Sequence, residues 1–110
     1  MITEQNKILV QSKPTADTLT DVYTVAASRW ANVVRIIVCN QTAGDDAYRI
    51  GLAVAGAATE AKQYPRYDVP IAANDVHTIE LNVLLRATDV LRVYSRDGDS
   101  SFTVIGTDSK

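Results

Sequence analysis

Residues 31–56 read ANVVRIIVCNQTAGDDAYRIGLAVAG, and this stretch decides the fold class. Two apolar runs, Val33–Cys39 and Ala47–Val54, flank the polar connector Asn40–Asp46. The first run is built from valine and isoleucine, whose branched Cβ atoms favour a pleated strand over a helix. The second run alternates with a period of two, which also indicates a strand. The stretch therefore predicts a β-hairpin whose first strand is central and covered on both faces, and whose second strand is covered mainly on one.

Six further strand candidates lie outside this stretch, and no segment has a convincing helical pattern. They are Lys7–Ser12, Thr18–Ala27, Ala61–Ala72, Val76–Arg86, Val90–Arg96 and Ser101–Gly106. Pro14 marks the first candidate as an edge strand, and Pro65 and Pro70 place the third at an edge or bend it, because proline lacks a ladder donor. The turn 97–99, Asp-Gly-Asp, predicts a hairpin because glycine accepts positive φ.

Eight short strands separated by turn signals are typical of two-layer β folds. The sequence therefore predicts an all-β, single-domain jelly-roll or immunoglobulin-like β-sandwich over residues 1–110. Residues 1–6 and 107–110 are polar and are expected to be loose termini. Alternation is clearest in Val76–Arg86, where Ile79 and Leu81 fall on one face and Thr78 and Glu80 on the other.

Composition and charge exclude several classes of function. The net charge is −2 with scattered lysine and arginine, so nucleic-acid binding is not expected. No apolar run approaches the roughly 20 residues of a spanning helix, and the N-terminal segment has no secretory signal pattern, so no membrane association is expected. Cys39 is the single cysteine, which excludes an intrachain disulfide and indicates synthesis in a reducing cytosol.

Residues that could carry catalysis are sparse. His77 is the single histidine, and the valines and isoleucines around Cys39 suggest a small buried hydrophobe rather than a nucleophile. His77 itself is expected to be a solvated turn residue. Asp45–Asp46 and the 97–99 turn place carboxylates in loops, but neither supplies the six or more oxygen ligands of a calcium site. We therefore expect no enzyme activity, no metal and no cofactor.

Tyr64, Arg66 and Tyr67 form the one place where rings and a cation share a loop-like segment. Exposed aromatic rings of this kind can stack on a sugar or anchor a protein partner. The structural alternative is that the rings cap one end of the sandwich with their hydroxyl groups in water. Arg35 and Arg49 lie within the two central strands, where each either pairs with an acidic side chain across the sheet or faces a subunit interface.

The order of these segments resembles that of small β-sandwich structural proteins of tailed-phage virions, which serve in capsid decoration or in the tail. The resemblance extends over residues 18–106. It is carried by Thr18-Leu19, Tyr23-Thr24-Val25, Val38-Cys39-Asn40-Gln41, Tyr48-Arg49-Ile50, Tyr67-Asp68, Ala72-Ala73-Asn74-Asp75, Leu85 with Ala87-Thr88-Asp89, and Gly106.

The resemblance implies a non-enzymatic component of a phage particle, made in the bacterial host cytoplasm and located in the virion. The leading expectation is a homotrimeric capsid decoration, or cement, protein that bridges subunits of the major capsid protein and stabilises the head. The alternative is a tail, baseplate or fibre-associated module that binds a carbohydrate or receptor. Closed symmetry fits a small domain without a disulfide, because neighbouring subunits can cover its open strand edges.

Overall fold

The computed structural model describes residues 5–109 and is an all-β sandwich of two four-stranded antiparallel sheets. This confirms the predicted fold class and strand number. The strands are β1 (Lys7–Ser12), β2 (Thr20–Thr24), β3 (Ala31–Asn40), β4 (Asp46–Ala53), β5 (Arg66–Ile71), β6 (Val76–Leu85), β7 (Val90–Ser95) and β8 (Ser100–Asp108). Single 3-10 turns, Val54–Gly56 and Ala61–Gln63, lie between β4 and β5. Over residues 5–109, no helix has the length and apolar character needed to cross a membrane.

The strand order is that of a jelly roll. The first sheet runs β1-β8-β3-β6 and the second runs β2-β7-β4-β5. Four strand pairs show this arrangement: β1 with β8, β2 with β7, β3 with β6 and β4 with β5. They are the pairs that form when one long hairpin is rolled into two layers. Of the two architectures that the sequence leaves open, the order selects the jelly roll over the immunoglobulin-like sandwich.

The predicted hairpin between β3 and β4 is wrong, because the two strands belong to different sheets. The same holds for β7 and β8, although Gly98 does adopt the expected positive φ of 73°. Buried polar side chains turn the chain from one layer to the other. Asn40 ends β3, and its amide donates to the carbonyl oxygens of Gly44 and Ala72, while Asp46 begins β4 with its carboxylate enclosed.

The core lies between the two sheets. Its members from the first sheet are Ala31, Val33, Ile36, Val38, Ile79, Leu85, Phe102 and Val104; those from the second are Tyr48, Ile50, Ile71, Leu91 and Val93, with Val25 beside them. Tyr48 meets Phe102 edge to face across the layers, with ring centroids 6.1 Å apart. Burying each such side chain stabilises the fold by about 1.5–3 kcal/mol.

The outer faces differ from the sequence expectation. The outward side of β3 is only half-buried, whereas β4 is the more enclosed strand. The β4–β5 loop explains the reversal, because Tyr64 folds back over Gly51, where an added Cβ would lie 3.5 Å from Cε1 of the ring. The strand predicted to be covered on both faces therefore has one face available to a partner.

Four strands lie at open sheet edges: β1 and β6 in the first sheet, and β2 and β5 in the second. The edge position of β1 is confirmed. That of β5 is confirmed as well, and this strand contains Pro70 and has a register shift opposite Tyr48 and Ile50. The inward and outward alternation predicted for β6 is also confirmed, since Ile79 and Leu85 are buried while Thr78 is exposed.

The C-terminal segment is tied to the fold rather than loose. β8 continues to Asp108, whose carboxylate accepts a hydrogen bond from the Tyr23 hydroxyl at 3.1 Å. The backbone N–H of Ser109 donates to the carbonyl of Trp30 at 2.9 Å. Of the residues predicted to be loose, 1–4 and 110 lie outside the described part of the chain.

Candidate functional site

Two surfaces on opposite sides of the sandwich are candidates for recognition. The first is the tyrosine–arginine cluster on the outer face of the second sheet, formed by Arg49, Tyr64, Tyr67 and Tyr94. Tyr64 and Tyr67 pack edge to face with ring centroids 5.0 Å apart. The Arg49 guanidinium lies between the rings of Tyr67 and Tyr94, at 4.3 and 4.2 Å from their centroids.

Arg49 is held in place by a carboxylate as well as by the two rings. Its Nε donates to Asp68 at 2.5 Å, and this hydrogen bond raises the pKa of Arg49 above its ordinary value. Tyr94 in turn donates its hydroxyl proton to Asp17 at 2.5 Å, which raises the pKa of Tyr94. The cluster is therefore a preorganised stack whose guanidinium is fixed by its ion pair with Asp68, a geometry that favours planar or polar ligands.

A groove of about 390 Å³ opens beside this stack. It is lined by Arg49, Thr59, Glu60, Ala61, Tyr64 and Tyr67. Tyr67 is 56% exposed, so one ring faces the solvent at the mouth of the groove. Exposed rings flanked by a carboxylate and a hydroxyl are groups that a sugar can stack on and hydrogen-bond with.

The structure joins only some of the residues that sequence reasoning grouped together. Tyr64 and Tyr67 do lie side by side, and Arg49 joins them because β4 and β5 pair directly. Arg66 does not line the groove, and its guanidinium donates to the carbonyl of Pro65 at 2.9 Å. The rings cover the outer face of the second sheet, rather than closing an end of the sandwich.

The second candidate surface is the outer face of the first sheet, named the apolar face for its exposed aliphatic side chains, which are interspersed with uncharged polar residues such as Thr78, Ser101 and Thr103. Its apolar side chains are Ile8, Ile37, Cys39, Val76, Leu84 and Ile105. Ile37, Cys39 and Ile105 lie between buried residues along their strands and so point away from the core. Ile8, Val76 and Leu84 share this face through their pairing with Ile105, Cys39 and Asn32. Ile8, Val76 and Leu84 are exposed, and Ile37, Cys39 and Ile105 are half-buried.

Both outer faces carry ion-paired charges, and the second sheet carries more of them. On the second sheet, ion pairs join Arg49 to Asp68 and Arg92 to Asp21. On the described part of the first sheet's outer face, the charges are those of Arg35 and Glu80, which neutralise each other across strands at 3.0 Å. Of the two alternatives that the sequence leaves open for Arg35 and Arg49, pairing with an acidic side chain across the sheet is present at both. Depletion of unpaired charge is a property of the buried centre of an interface.

A cavity of about 450 Å³ extends the apolar face at the end of β6. It is lined by Arg29, Trp30, Leu84 and Arg86. Trp30 and Leu84 are both exposed. Tryptophan and arginine are, with tyrosine, the residue types that most often dominate binding energy at protein interfaces.

Sequence reasoning missed a buried carboxylate at the opposite end of the sandwich. Asp46 is 1% exposed and accepts hydrogen bonds from the hydroxyl groups of Ser95 and Ser100 and from the backbone N–H groups of Ala47 and Asp97. The sequence shows Asp46 only as half of an acidic loop pair. Asp46 directly precedes the apolar run Ala47–Val54, and this position next to a strand is the sequence signal that could have identified Asp46 as buried.

The expectations for His77 and Cys39 are also corrected. His77 lies in β6 rather than in a turn, and its Nδ1 is 2.8 Å from the hydroxyl of Tyr48. Cys39 is half-buried on the apolar face rather than in the core. Since Cys39 is paired with Val76 and His77 with Val38, the thiol and the imidazole lie on opposite faces of the sheet.

Among residues 5–109, no three histidine, cysteine, aspartate or glutamate side chains cluster as metal ligands. No known family model matches the sequence, and no curated protein matches it significantly. The geometry of the two surfaces is therefore the basis for a functional proposal.

Proposed function

We propose that this chain is a structural protein of a phage virion. Specifically, it acts as a capsid decoration protein that binds as a homotrimer and bridges neighbouring subunits of the major capsid protein. The observation that carries the proposal is the apolar face, whose described charges form one ion pair, Arg35 with Glu80, whereas the other outer face carries two ion pairs. A surface of this kind favours association with protein, since few charges lose their hydration when it is covered.

The strand order supports the same proposal by analogy. Jelly rolls of eight strands recur in viral capsid domains and in lectins, although a fold by itself does not fix a function. The resemblance of residues 18–106 to tailed-phage structural proteins favours the viral alternative. In this proposal the protein is made in the host cytoplasm, is located in the virion, uses no cofactor and catalyses no reaction.

The proposal predicts both self-association and binding to particles. Light scattering after size-exclusion chromatography should give a mass of three chains of 12.0 kDa. The purified protein should also co-sediment with expanded capsids of its phage, reach a saturating stoichiometry, and raise the temperature at which the capsids break open.

Unexpanded capsids are the control, because a bridging protein needs the spacing of the mature lattice. A strictly monomeric protein with no affinity for expanded capsids or for tail components would contradict the proposal. Binding to isolated tails or baseplates, with none to capsids, would keep the virion assignment and move the protein from head to tail.

A carbohydrate- or receptor-binding module of the tail or fibre is the second candidate function. The groove beside Tyr64, Tyr67 and Arg49 is the observation that favours it. Since the Tyr67 ring is exposed and Arg49 is fixed behind it, a sugar could stack on the ring without any rearrangement of the sheet.

This candidate predicts that Tyr67→Ala weakens binding to a host glycan by about tenfold or more, because stacking on the ring is lost. Glycan-array binding followed by calorimetry measures the change. Tyr67→Phe should keep most of the affinity, and Trp30→Ala, which removes an exposed ring far from the groove, should leave it unchanged. No glycan binding by the wild-type protein, or equal binding by all variants, would eliminate this function.

A further inference from the structure

The two edges of the first sheet are complementary in direction. Adjacent strands in the order β1-β8-β3-β6 are all antiparallel, so β1 and β6 run in opposite directions. A rotation about an axis parallel to the strands leaves strand directions unchanged. Such a rotation can therefore bring β6 of one copy beside β1 of the next copy as an antiparallel pair.

We propose that three copies of the chain close into a ring in which β6 of each copy pairs with β1 of the next and the apolar faces meet on the threefold axis. The inference rests on the homotrimer in the proposed function and specifies its interface. The second sheets then lie on the outside, so that the tyrosine–arginine cluster faces away from the axis and stays open to another partner.

The dimensions of the sheet select three copies. Four strands about 4.8 Å apart make a side of about 19 Å, and a triangle with that side places each sheet about 5.5 Å from the axis. This distance is close to half of the roughly 10 Å that separates packed sheets, so side chains from three faces fill the centre. Four copies would leave each sheet about 9.5 Å from the axis and a central channel that these side chains do not fill.

The open edge of β6 is the second argument. It has ten residues, with Glu80 as its single carboxylate and no lysine or proline. The edges of the second sheet are less open to pairing, since β2 has five residues and β5 contains Pro70. A long edge strand with few charges presents unpaired N–H and C=O groups to any available strand, and pairing with a second copy satisfies them.

The third argument is area. The face measures about 19 Å across and about 30 Å along nine residues, which is about 570 Å² from each copy before the edges are counted. Each copy shares this area between two neighbours, so each of the three interfaces gains about 570 Å² from the faces, and the paired β6 and β1 edges supply the rest of the contact. The ion pair of Arg35 and Glu80 enters the proposed interface already neutralised.

Charge substitutions on the apolar face test the ring. Ile37→Arg and Ile105→Arg each place three like charges close to the axis, and we expect the mass by light scattering to fall from three chains to one. Both side chains point away from the core, so the circular dichroism spectrum and a cooperative melting transition should be retained. Val54→Arg is the matched control at a valine that is 74% exposed near the second sheet, and it should remain trimeric.

The native cysteine provides an independent readout. Cys39 lies on β3, near the middle of the sheet, so three copies in the ring bring their thiols within about 10 Å of one another. A short bismaleimide should link two chains of each trimer and leave the third unlinked, because each thiol reacts once. Cys39→Ser should give no linked species, and Ile37→Arg should lose the link.

The outcomes separate this inference from the proposed function. The ring is overturned if the wild-type protein is a trimer and the Ile37→Arg and Ile105→Arg variants are trimers as well. It is also overturned if the wild-type trimer gives no link through Cys39. Either result leaves the capsid assignment standing. A wild-type monomer, or a dimer in which every chain is linked, also overturns the ring. Co-sedimentation of the wild-type protein with capsids then decides the function separately.

Discussion

Replacing Gly106 with alanine is expected to prevent the chain from folding. Gly106 is buried in β8, between Lys7 of β1 and Val33 of β3. An added Cβ would lie 2.0 Å from the carbonyl oxygen of Asn32 and 3.1 Å from the Cα of Val33. Both neighbours are backbone atoms of a central strand, so no side-chain rotation can relieve the overlap.

The strands approach so closely because the β3–β8 ladder shifts register between Val33 and Arg35. To make room, β8 would have to move away from β3 and break ladder hydrogen bonds in the middle of the first sheet. We expect a loss of about 4 kcal/mol or more, which is a large fraction of the stability of a small domain. The measurements are soluble yield, the far-ultraviolet circular dichroism spectrum and thermal melting.

Gly44→Ala is the matched control for this prediction. Gly44 lies in the β3–β4 loop, and an added Cβ there meets no atom within 4 Å. The same chemical change should therefore be neutral, or stabilising by about 0.4–1 kcal/mol through lower entropy of the unfolded chain. If Gly106→Ala unfolds cooperatively within about 1 kcal/mol of the wild type, the close approach of β3 and β8 is not a constraint on the fold.

The local elements could be predicted from the sequence because they depend on local alternation. In β6, the period of two assigns Ile79 and Leu85 inward and Thr78 outward, and the structure agrees. Period two reports which face of a strand is buried, whereas it carries no information about which strand lies alongside. For that reason the partners of β3 and β4 were predicted wrongly even though both strands were found.

The sites show the same division between local and long-range information. Tyr64 and Tyr67 are near neighbours in sequence, so a pattern of rings and cations can find them. Arg49 enters their cluster through the pairing of β4 with β5, and the apolar face exists only once β1, β3, β6 and β8 are laid side by side. Each outward residue on its own is an ordinary half-exposed side chain, so the surface has no signal within any single strand.

Asp46 also depends on long-range contacts, and its removal should be the second most damaging change. Its two carboxylate oxygens satisfy four donors: the hydroxyls of Ser95 and Ser100 and the N–H groups of Ala47 and Asp97. These contacts join the start of β4 to the turn by which the chain passes from β7 in one sheet to β8 in the other. Alanine would leave buried donors without partners, and we expect a loss of about 3–5 kcal/mol in the free energy of unfolding.

Asp45→Asn is the control for the loss of a carboxylate at this loop. Asp45 is exposed, and its carboxylate accepts a hydrogen bond from the backbone N–H of Ala73 at 3.3 Å. Its replacement should change the free energy of unfolding by less than about 1 kcal/mol. Equal effects of Asp46→Ala and Asp45→Asn in urea unfolding would show that burial of Asp46 does not stabilise the fold.

Asp46→Asn tests the charge separately from the shape. Burial alone would raise the pKa of Asp46, but hydrogen bonds from Ser95, Ser100 and the backbone N–H groups of Asp97 and Ala47 outweigh it and hold the pKa below its ordinary value of 3.8. A carboxylate with a depressed folded pKa contributes stability that is fully present above the unfolded pKa and is lost as the pH falls through the folded value.

The difference in free energy of unfolding between wild type and Asp46→Asn should therefore be largest near neutral pH, at about 1–3 kcal/mol, and should shrink as the pH falls below about 4. Urea unfolding at a series of pH values measures it, and a difference that stays constant down to the acid transition would show that the ionised form of Asp46 is not favoured by folding.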